Sequence, residues 1–268
     1  MRSLLTGLFL VVAVLGMIVA VPSTWVTTHV VSVDGFADTA ARAASKPEVQ
    51  EFFAAKIADE VAQSTDIPLA GSVVAPLAQT YTRSPAFVTD FTEVARQQHG
   101  WLFTAPAPDT SRHVMELDVT PMVNRVLESA PVPIRIDREI TVPLDQTRLT
   151  AGSLESSGSA LTLTAWISVI GAALAAVVAL LLARNRAAIL AWLGVGAVVA
   201  GGAGAALAIY LRGKASESAT GDLSSRHTAT VVADEVLAGL TTTSWIVGAV
   251  GLAVAVVGAA AAVVLGRR

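Results

Sequence analysis

The 268-residue chain contains no cysteine. It therefore cannot form a disulfide, use a thiolate nucleophile or bind a metal through cysteine ligands. Charged residues are also scarce, at 15% of the chain against roughly a quarter in soluble domains. The net charge of −3 offers no electrostatic basis for binding nucleic acid. With 53% hydrophobic residues and a mean hydropathy of +0.63, the composition predicts a membrane protein.

Four long stretches contain no Asp, Glu, Lys, Arg or His. Because a helix needs about 20 mainly apolar residues to cross a bilayer, we predict spans over 4–21, 161–183, 187–211 and 243–265. Pro22 is expected to end the first helix. Arg2 before an apolar run is typical of a signal peptide and of an anchor. This run is longer than a signal core of about 7–15 residues, so we expect an uncleaved anchor.

The charges around the spans predict the orientation of the chain. The segments 1–3, 184–186 and 266–268 contain arginine and no acid, whereas every Asp and Glu lies in 22–160 or 212–242. The positive-inside rule then places both termini in the cytoplasm and both long segments outside the inner (plasma) membrane. Tryptophans near the span ends agree with an interfacial belt; these are Trp25, Trp166, Trp192 and Trp245.

The predicted fold class is a mainly α membrane protein, with four transmembrane helices and an extracytoplasmic α+β domain of helices followed by two short strands. We divide the chain into an N-terminal anchor (1–25), the extracytoplasmic domain (26–158) and a three-helix transmembrane bundle (159–268) with an outer loop over 212–242.

Local patterns predict the elements of these regions. In the domain, Ser45-Lys46-Pro47-Glu48 and Ser84-Pro85 are typical of helix starts, and a further helix is expected over 69–81. Alternating apolar residues predict strands over 113–119 and 134–140, with a short helix over 120–127 between them. In the outer loop, Val232, Val236 and Leu240 indicate a short amphipathic helix.

Small residues recur every four positions in the last three spans, and small residues let helices approach closely in lipid. Either these helices pack on one another or they form an interface with another membrane protein, and both interpretations remain open. The candidate packing or interface residues are Gly171, Ala175, Gly196, Ala200, Gly204, Gly251 and Ala255.

Residues that could carry chemistry are isolated. The four histidines, His29, His99, His113 and His227, stand in no metal-ligand spacing, and no nucleotide-binding or nucleophile motif occurs. Glu116 and Asp118 share one face of a predicted strand, which is usual for a solvated strand face. We therefore predict no catalytic, cofactor or metal site, and a protein that is not an enzyme.

Several local motifs resemble one family across nearly the whole chain. They are Val33-Asp34-Gly35-Phe36, a Ser-Pro-x-Phe helix ending in Ala95-Arg96-Gln97-Gln98-His99, the turn Met115–Met122 after the first strand, and three C-terminal spans. With the N-terminal anchor, this layout resembles uncharacterised integral membrane proteins of actinobacteria. The resemblance implies the topology and a bacterial host, and it implies no catalytic residue.

The expected function is that of a non-enzymatic accessory or scaffold subunit in a larger membrane or cell-envelope complex, such as a respiratory assembly or an envelope-biogenesis machine. Its expected partners are other integral membrane proteins and the lipid bilayer, not nucleic acid. The alternative is an extracytoplasmic ligand-binding or sensor protein, which needs a pocket in the polar domain. An enzyme or transporter is disfavoured because the spans contain no charge.

Overall fold

The computed structural model describes residues 2–64, 70–106, 113–128, 141–145, 150–218 and 223–266. The predicted mainly α fold is confirmed. The helices are α1 (Arg2–Val26), α2 (Val33–Ala44), α3 (Pro47–Ser64), α4 (Ala70–Thr82), α5 (Pro85–Phe103), α6 (Thr120–Glu128), α7 (Glu155–Leu182), α8 (Arg186–Ser218) and α9 (Leu223–Gly266). Among the described residues, four helices are long and apolar enough to cross a membrane: α1, α7, α8 and α9.

The chain divides into two compact units. The first, which we call the span unit, comprises Met1–Thr28, Ser159–Lys214 and Leu237–Arg268. The second, which we call the polar unit, comprises His29–Gly158 and Ala215–Val236. Residues of the predicted outer loop, 212–242, are therefore shared between the two units.

The prediction that Pro22 ends the first helix is wrong, because α1 continues through it to Val26. A proline inside a helix removes one backbone hydrogen bond, and nearby hydroxyl groups can make up for such a loss in a membrane helix. Pro22 has no N–H to donate to the Ile18 carbonyl. The hydroxyls of Ser23 and Thr24 donate to the next two carbonyls, Val19 and Ala20, each at 2.6 Å, and so support the helix beside the missing bond without replacing it. A π-helical turn, Thr27–Val31, then leads to α2.

The last span is longer than predicted. The expected amphipathic helix around Val232 and the expected span over 243–265 are parts of one 44-residue helix, α9. The three threonines that separate them do not interrupt it, and the Thr241 hydroxyl donates to the Leu237 carbonyl one turn earlier. Similarly, α8 runs to Ser218, beyond the predicted end at 211.

The caps of two helices in the polar unit illustrate how its sequence sets element boundaries. Ser84 accepts a hydrogen bond from the Phe87 amide and Pro85 occupies the first turn, which confirms the predicted start of α5. Ser45, in contrast, does not cap α3. It ends α2, and its hydroxyl donates to the Ala41 carbonyl. The Lys46 carbonyl accepts the first amides of α3 instead.

Within the described residues, the polar unit has one antiparallel pair of strands. Strand β1 (Val114–Asp118) lies within the predicted strand 113–119, and its buried Met115 and Leu117 alternate with exposed Glu116 as expected. Its partner is β2 (Thr141–Asp145), in a register that joins Glu116 to Pro143. The predicted strand over 134–140 lies outside the described residues.

An aromatic cluster forms the core of the polar unit. Phe87 is fully buried and packs with Tyr81, Ala44 and Val126. Phe53 and Phe91 contact it at ring-centroid distances of 5.8 and 5.7 Å, within the range of favourable aromatic pairs. This cluster joins α2 to α6 and thereby positions the polar side chains between these helices.

Candidate functional site

Helices α8 and α9 of the span unit pack with their backbones in direct contact. A Cβ built on Gly194 would lie 2.7 Å from the Ala255 Cα, and one on Gly201 would lie 2.8 Å from the Gly248 amide nitrogen. The contacts repeat on α9, where a Cβ on Gly251 would lie 2.7 Å from that of Ala197. Only hydrogen fits at these positions, which is the close approach that small residues permit in lipid.

Helix α1 packs against α7 and α8 through a second set of small residues. Gly16 faces the Ala172 methyl group, and Gly196 faces Val14. Ala13 and Ala175 are buried together with Leu193. Short side chains thus allow the helices of the span unit to approach closely, and larger ones such as Leu193 pack around them.

Most of the predicted packing residues lie inside the span unit. Gly196, Ala200, Gly204 and Gly251 are buried, as is Ala175, and Ala255 lies against Gly194. Gly171 is different, because nothing lies within 4 Å of the place where its Cβ would be.

The four-residue spacing did not identify Gly194, Gly201 or Gly258, which also meet a neighbouring backbone. Gly194 lies seven residues before Gly201, and Gly258 lies seven residues after Gly251. A seven-residue spacing also keeps residues on one helix face. That spacing is the signal that would have found them.

Several glycines of the four long helices face open space, including Gly7 on α1. A Cβ on Gly171, Gly202 or Gly248 would meet no atom within 4 Å. Gly201 contacts Gly248 across the α8–α9 contact, so Gly202 and Gly248 lie at the same level of the bundle. Many other exposed positions of these helices carry large apolar side chains such as Ile167, Val199 and Val256.

His99 on α5 makes a hydrogen bond to the backbone near the start of the polar unit. Its ring is 6% exposed and stacks on Phe103 at 4.4 Å between ring centroids. Its Nε2 lies 2.9 Å from the carbonyl oxygen of Val31, and since a carbonyl only accepts, Nε2 must carry the hydrogen. His99 thus satisfies a carbonyl at the end of the π-helical turn. Trp101, two residues later, is only partly buried.

A buried acid organises the side chains between α4, α5 and α6. Asp90 is 5% exposed, and its Oδ2 accepts from the Tyr81 hydroxyl at 2.9 Å and pairs with Arg125 Nε at 2.8 Å. Burial, together with the hydrogen bond to Asp90, raises the pKa of Tyr81 far above its usual range. The tyrosine therefore stays neutral and acts as a donor. No sequence pattern pointed to this trio, because its members are 9 and 35 residues apart.

A second ion-pair group joins α2 to the first part of α9. Glu235 is 15% exposed and binds Arg42 Nε at 3.1 Å and Lys46 Nζ at 2.9 Å. The hydrogen bond to Glu235 raises the pKa of Lys46. These contacts give Glu235, on the polar first part of α9, two cationic partners.

A surface cleft of about 490 Å³ opens beside Asp90. Residues of α2, α5 and α6 line it, among them Val88, Thr89, Asp90, Glu93, Arg96 and Met122. Arg96 NH1 is paired with Asp34 Oδ1 at 3.0 Å. This volume lies within the range of about 300–1,000 Å³ that small-molecule sites usually have.

The residues considered for chemistry in the sequence lie apart. Within the described ranges no three His, Cys, Asp or Glu side chains come together as a metal site would require. Asp118 accepts from the Thr120 amide at the start of α6, while Glu116 is exposed on the strand. His113 and His227 are also exposed.

Comparison with known proteins gives no relative for this chain. No family model, curated protein or solved structure matches it. The geometry of the two units is therefore the basis on which a function can be assigned.

Proposed function

We propose that this protein is a non-enzymatic accessory or scaffold subunit that binds other integral membrane proteins of a larger bacterial membrane or cell-envelope complex. A respiratory assembly and an envelope-biogenesis machine are the possible hosts. Both termini would lie in the cytoplasm, and the polar unit would lie outside the inner membrane.

One observation carries the proposal: Gly171, Gly202 and Gly248 face open space on helices where many other exposed positions carry large apolar side chains. Such side chains suit lipid tails. Glycine lowers helix stability by about 1 kcal/mol relative to alanine, so an exposed glycine in a span has no advantage against lipid alone. It does allow a second helix to approach closely. The surface around Gly202 and Gly248 therefore fits a transmembrane helix of a partner.

The test is crosslinking in cells, purification of a tagged copy in a mild detergent and mass spectrometry. We expect a defined set of membrane proteins with the natural chain and a loss of that set with Gly202→Leu. The matched control is Val199→Leu, because Val199 is half exposed on the same helix. Recovery of the natural chain only as a monomer or homo-oligomer would contradict the proposal. Equal recovery of partner proteins with Gly202→Leu and Val199→Leu would show that the surface around Gly202 does not bind them.

The orientation can be tested separately, because the chain has no cysteine. We expect Asp59→Cys, on exposed α3, to react with an impermeant thiol reagent in intact cells. Asn185→Cys, in the turn between α7 and α8, should react only after the cells are opened. The reverse pattern would place the polar unit in the cytoplasm.

A second candidate function is a ligand-binding or sensor protein. The cleft beside Asp90 favours it, because this function needs a pocket in the polar unit and the cleft has the volume of a small-molecule site. Its test is the binding of small charged and neutral probes to this cleft, measured on the full chain.

A further inference from the structure

We propose that the cleft between α2, α5 and α6 binds a small organic cation, an ammonium or guanidinium group on a short hydrocarbon body. This inference rests on the second candidate function, and it names the ligand class. It does not depend on the binding of partner proteins by the spans.

The hydrogen-bonding groups on the α5 side of the cleft are mainly acceptors. The hydroxyl of Thr89 donates to the Pro85 carbonyl, and that of Thr92 donates to the Val88 carbonyl. Each hydroxyl has a single hydrogen, so only its oxygen lone pairs are left for a ligand. The carboxylates of Asp90 and Glu93 accept only. The α5 side of the cleft therefore offers a ligand mainly acceptors, beside the guanidinium of Arg96, which is paired with Asp34.

The charges of the lining also favour a cation. Arg96 pairs with Asp34, and Arg125 pairs with the buried Asp90. Both partners of Asp90 bind its Oδ2. Glu93 has no ion-pair partner in the described part of the chain. The balance on this face of α5 is one uncompensated negative charge.

The remaining wall is apolar. Ala41, Val88, Pro121 and Met122 line the cleft opposite and beside the acceptors. A hydrocarbon chain can pack on these side chains while its charged end meets Glu93, one helical turn from Asp90. Apolar walls with a few converging polar groups are typical of small-molecule sites.

The test uses the full chain in lipid nanodiscs and three probes with the same four-carbon body: butylamine, butanoate and 1-butanol. Saturation-transfer NMR, with empty nanodiscs as the blank, measures binding of each. We expect butylamine to bind, butanoate to be rejected and 1-butanol to bind more weakly than the amine. Added salt should weaken the binding of butylamine, because the charges are partly exposed to solvent.

Variants locate the site. Glu93→Gln should lower the affinity for butylamine about twofold to fivefold, which is the range for a partly exposed charge pair. Glu93→Lys should reverse the preference, so that butanoate binds better than the amine. Glu51→Gln is the matched control, because Glu51 lies on α3, exposed and outside the cleft. It should bind like the natural chain.

The outcomes separate the two hypotheses. Binding of butanoate or butanol in preference to the amine, with sensitivity to Glu93, would overturn the cation assignment and keep the cleft as a ligand site. Binding that neither Glu93 variant changes would place the amine elsewhere and overturn the inference. No binding of any probe would overturn both the inference and the sensor function.

Discussion

Two adjacent glycines of α8 allow the packing of the span unit to be tested with a single methyl group. A Cβ on Gly201 would lie 2.8 Å from the amide nitrogen and 3.0 Å from the Cα of Gly248 on α9. Both are main-chain atoms, so no side chain can turn away to make room. A Cβ on Gly202 would meet nothing within 4 Å. Gly201→Ala must therefore push the two helices apart, whereas Gly202→Ala need not move anything.

The expected difference in the free energy of unfolding comes from two effects. Replacing glycine by alanine in a helix favours the helix by about 0.8–1.0 kcal/mol in water, and this gain is shared by both variants. Overpacking a close contact destabilises by about 1–3 kcal/mol, and this loss applies to Gly201→Ala alone. Gly201→Ala should thus be less stable than Gly202→Ala by about 1–3 kcal/mol. At about 2–4 °C per kcal/mol, the gap in Tm is roughly 2–12 °C.

The assay is the thermal unfolding of both variants in one mild detergent, followed by far-ultraviolet circular dichroism. Denaturant titration gives the same comparison at constant temperature. Gly194→Ala provides a repeat of the test, because its Cβ would meet the backbone at Ala255. Equal stability of Gly201→Ala and Gly202→Ala would show that α8 and α9 are not in backbone contact, and the glycine-mediated packing of the span unit would then be wrong.

Three further predictions concern the polar unit. The Tyr210→Phe variant keeps one tyrosine, Tyr81, and its phenolate absorbance at 295 nm should stay low through pH 10. The raised pKa of Tyr81 contributes stability that is fully present below about pH 10, the pKa of an unfolded tyrosine. That stability is lost as the pH rises toward the pKa of the folded state. An ordinary titration near pH 10 would contradict its burial. Glu235→Gln should lower the Tm by roughly 1–4 °C, and by less in high salt, because it removes two ion pairs. The control Asp38→Asn, at an exposed position, should leave the Tm unchanged. A loss of Tm that does not depend on salt would argue against the ion pairs. Phe87→Ala should destabilise by about 3–5 kcal/mol in denaturant titration, and a loss under 1 kcal/mol would mean that Phe87 is not at the core.

The four spans could be predicted because long apolar runs are a local property of the chain. Each run is long enough to cross a bilayer, and none contains a charge. The start of α5 was predictable for a similar reason, since Ser84 and Pro85 act within a single turn. Strand β1 follows from its own alternation of apolar and polar residues.

Element ends depended on neighbours that the local pattern does not reveal. Pro22 is a residue that usually breaks a helix, yet α1 continues through it to Val26, with the hydroxyls of Ser23 and Thr24 bonded to carbonyls of the preceding turn. The Ser45 motif fits a start of α3 and an end of α2 equally well, and the structure uses it for the end. Pro143 disfavours a strand on sequence grounds. In a pair of strands each has a free edge, so β2 can contain it.

The sequence by itself determined which segments are apolar enough to leave water and which residue types are available for chemistry. It also determined that small residues would make close helix contacts, because their size is a property of each residue. Only the tertiary structure decided which of them do so: Gly201 meets the backbone of α9, and Gly202, one residue later, faces open space. It likewise brought Asp90 to Tyr81 and Arg125. The physical reason is that these contacts join residues distant in the chain, and their partners are set by how whole helices pack.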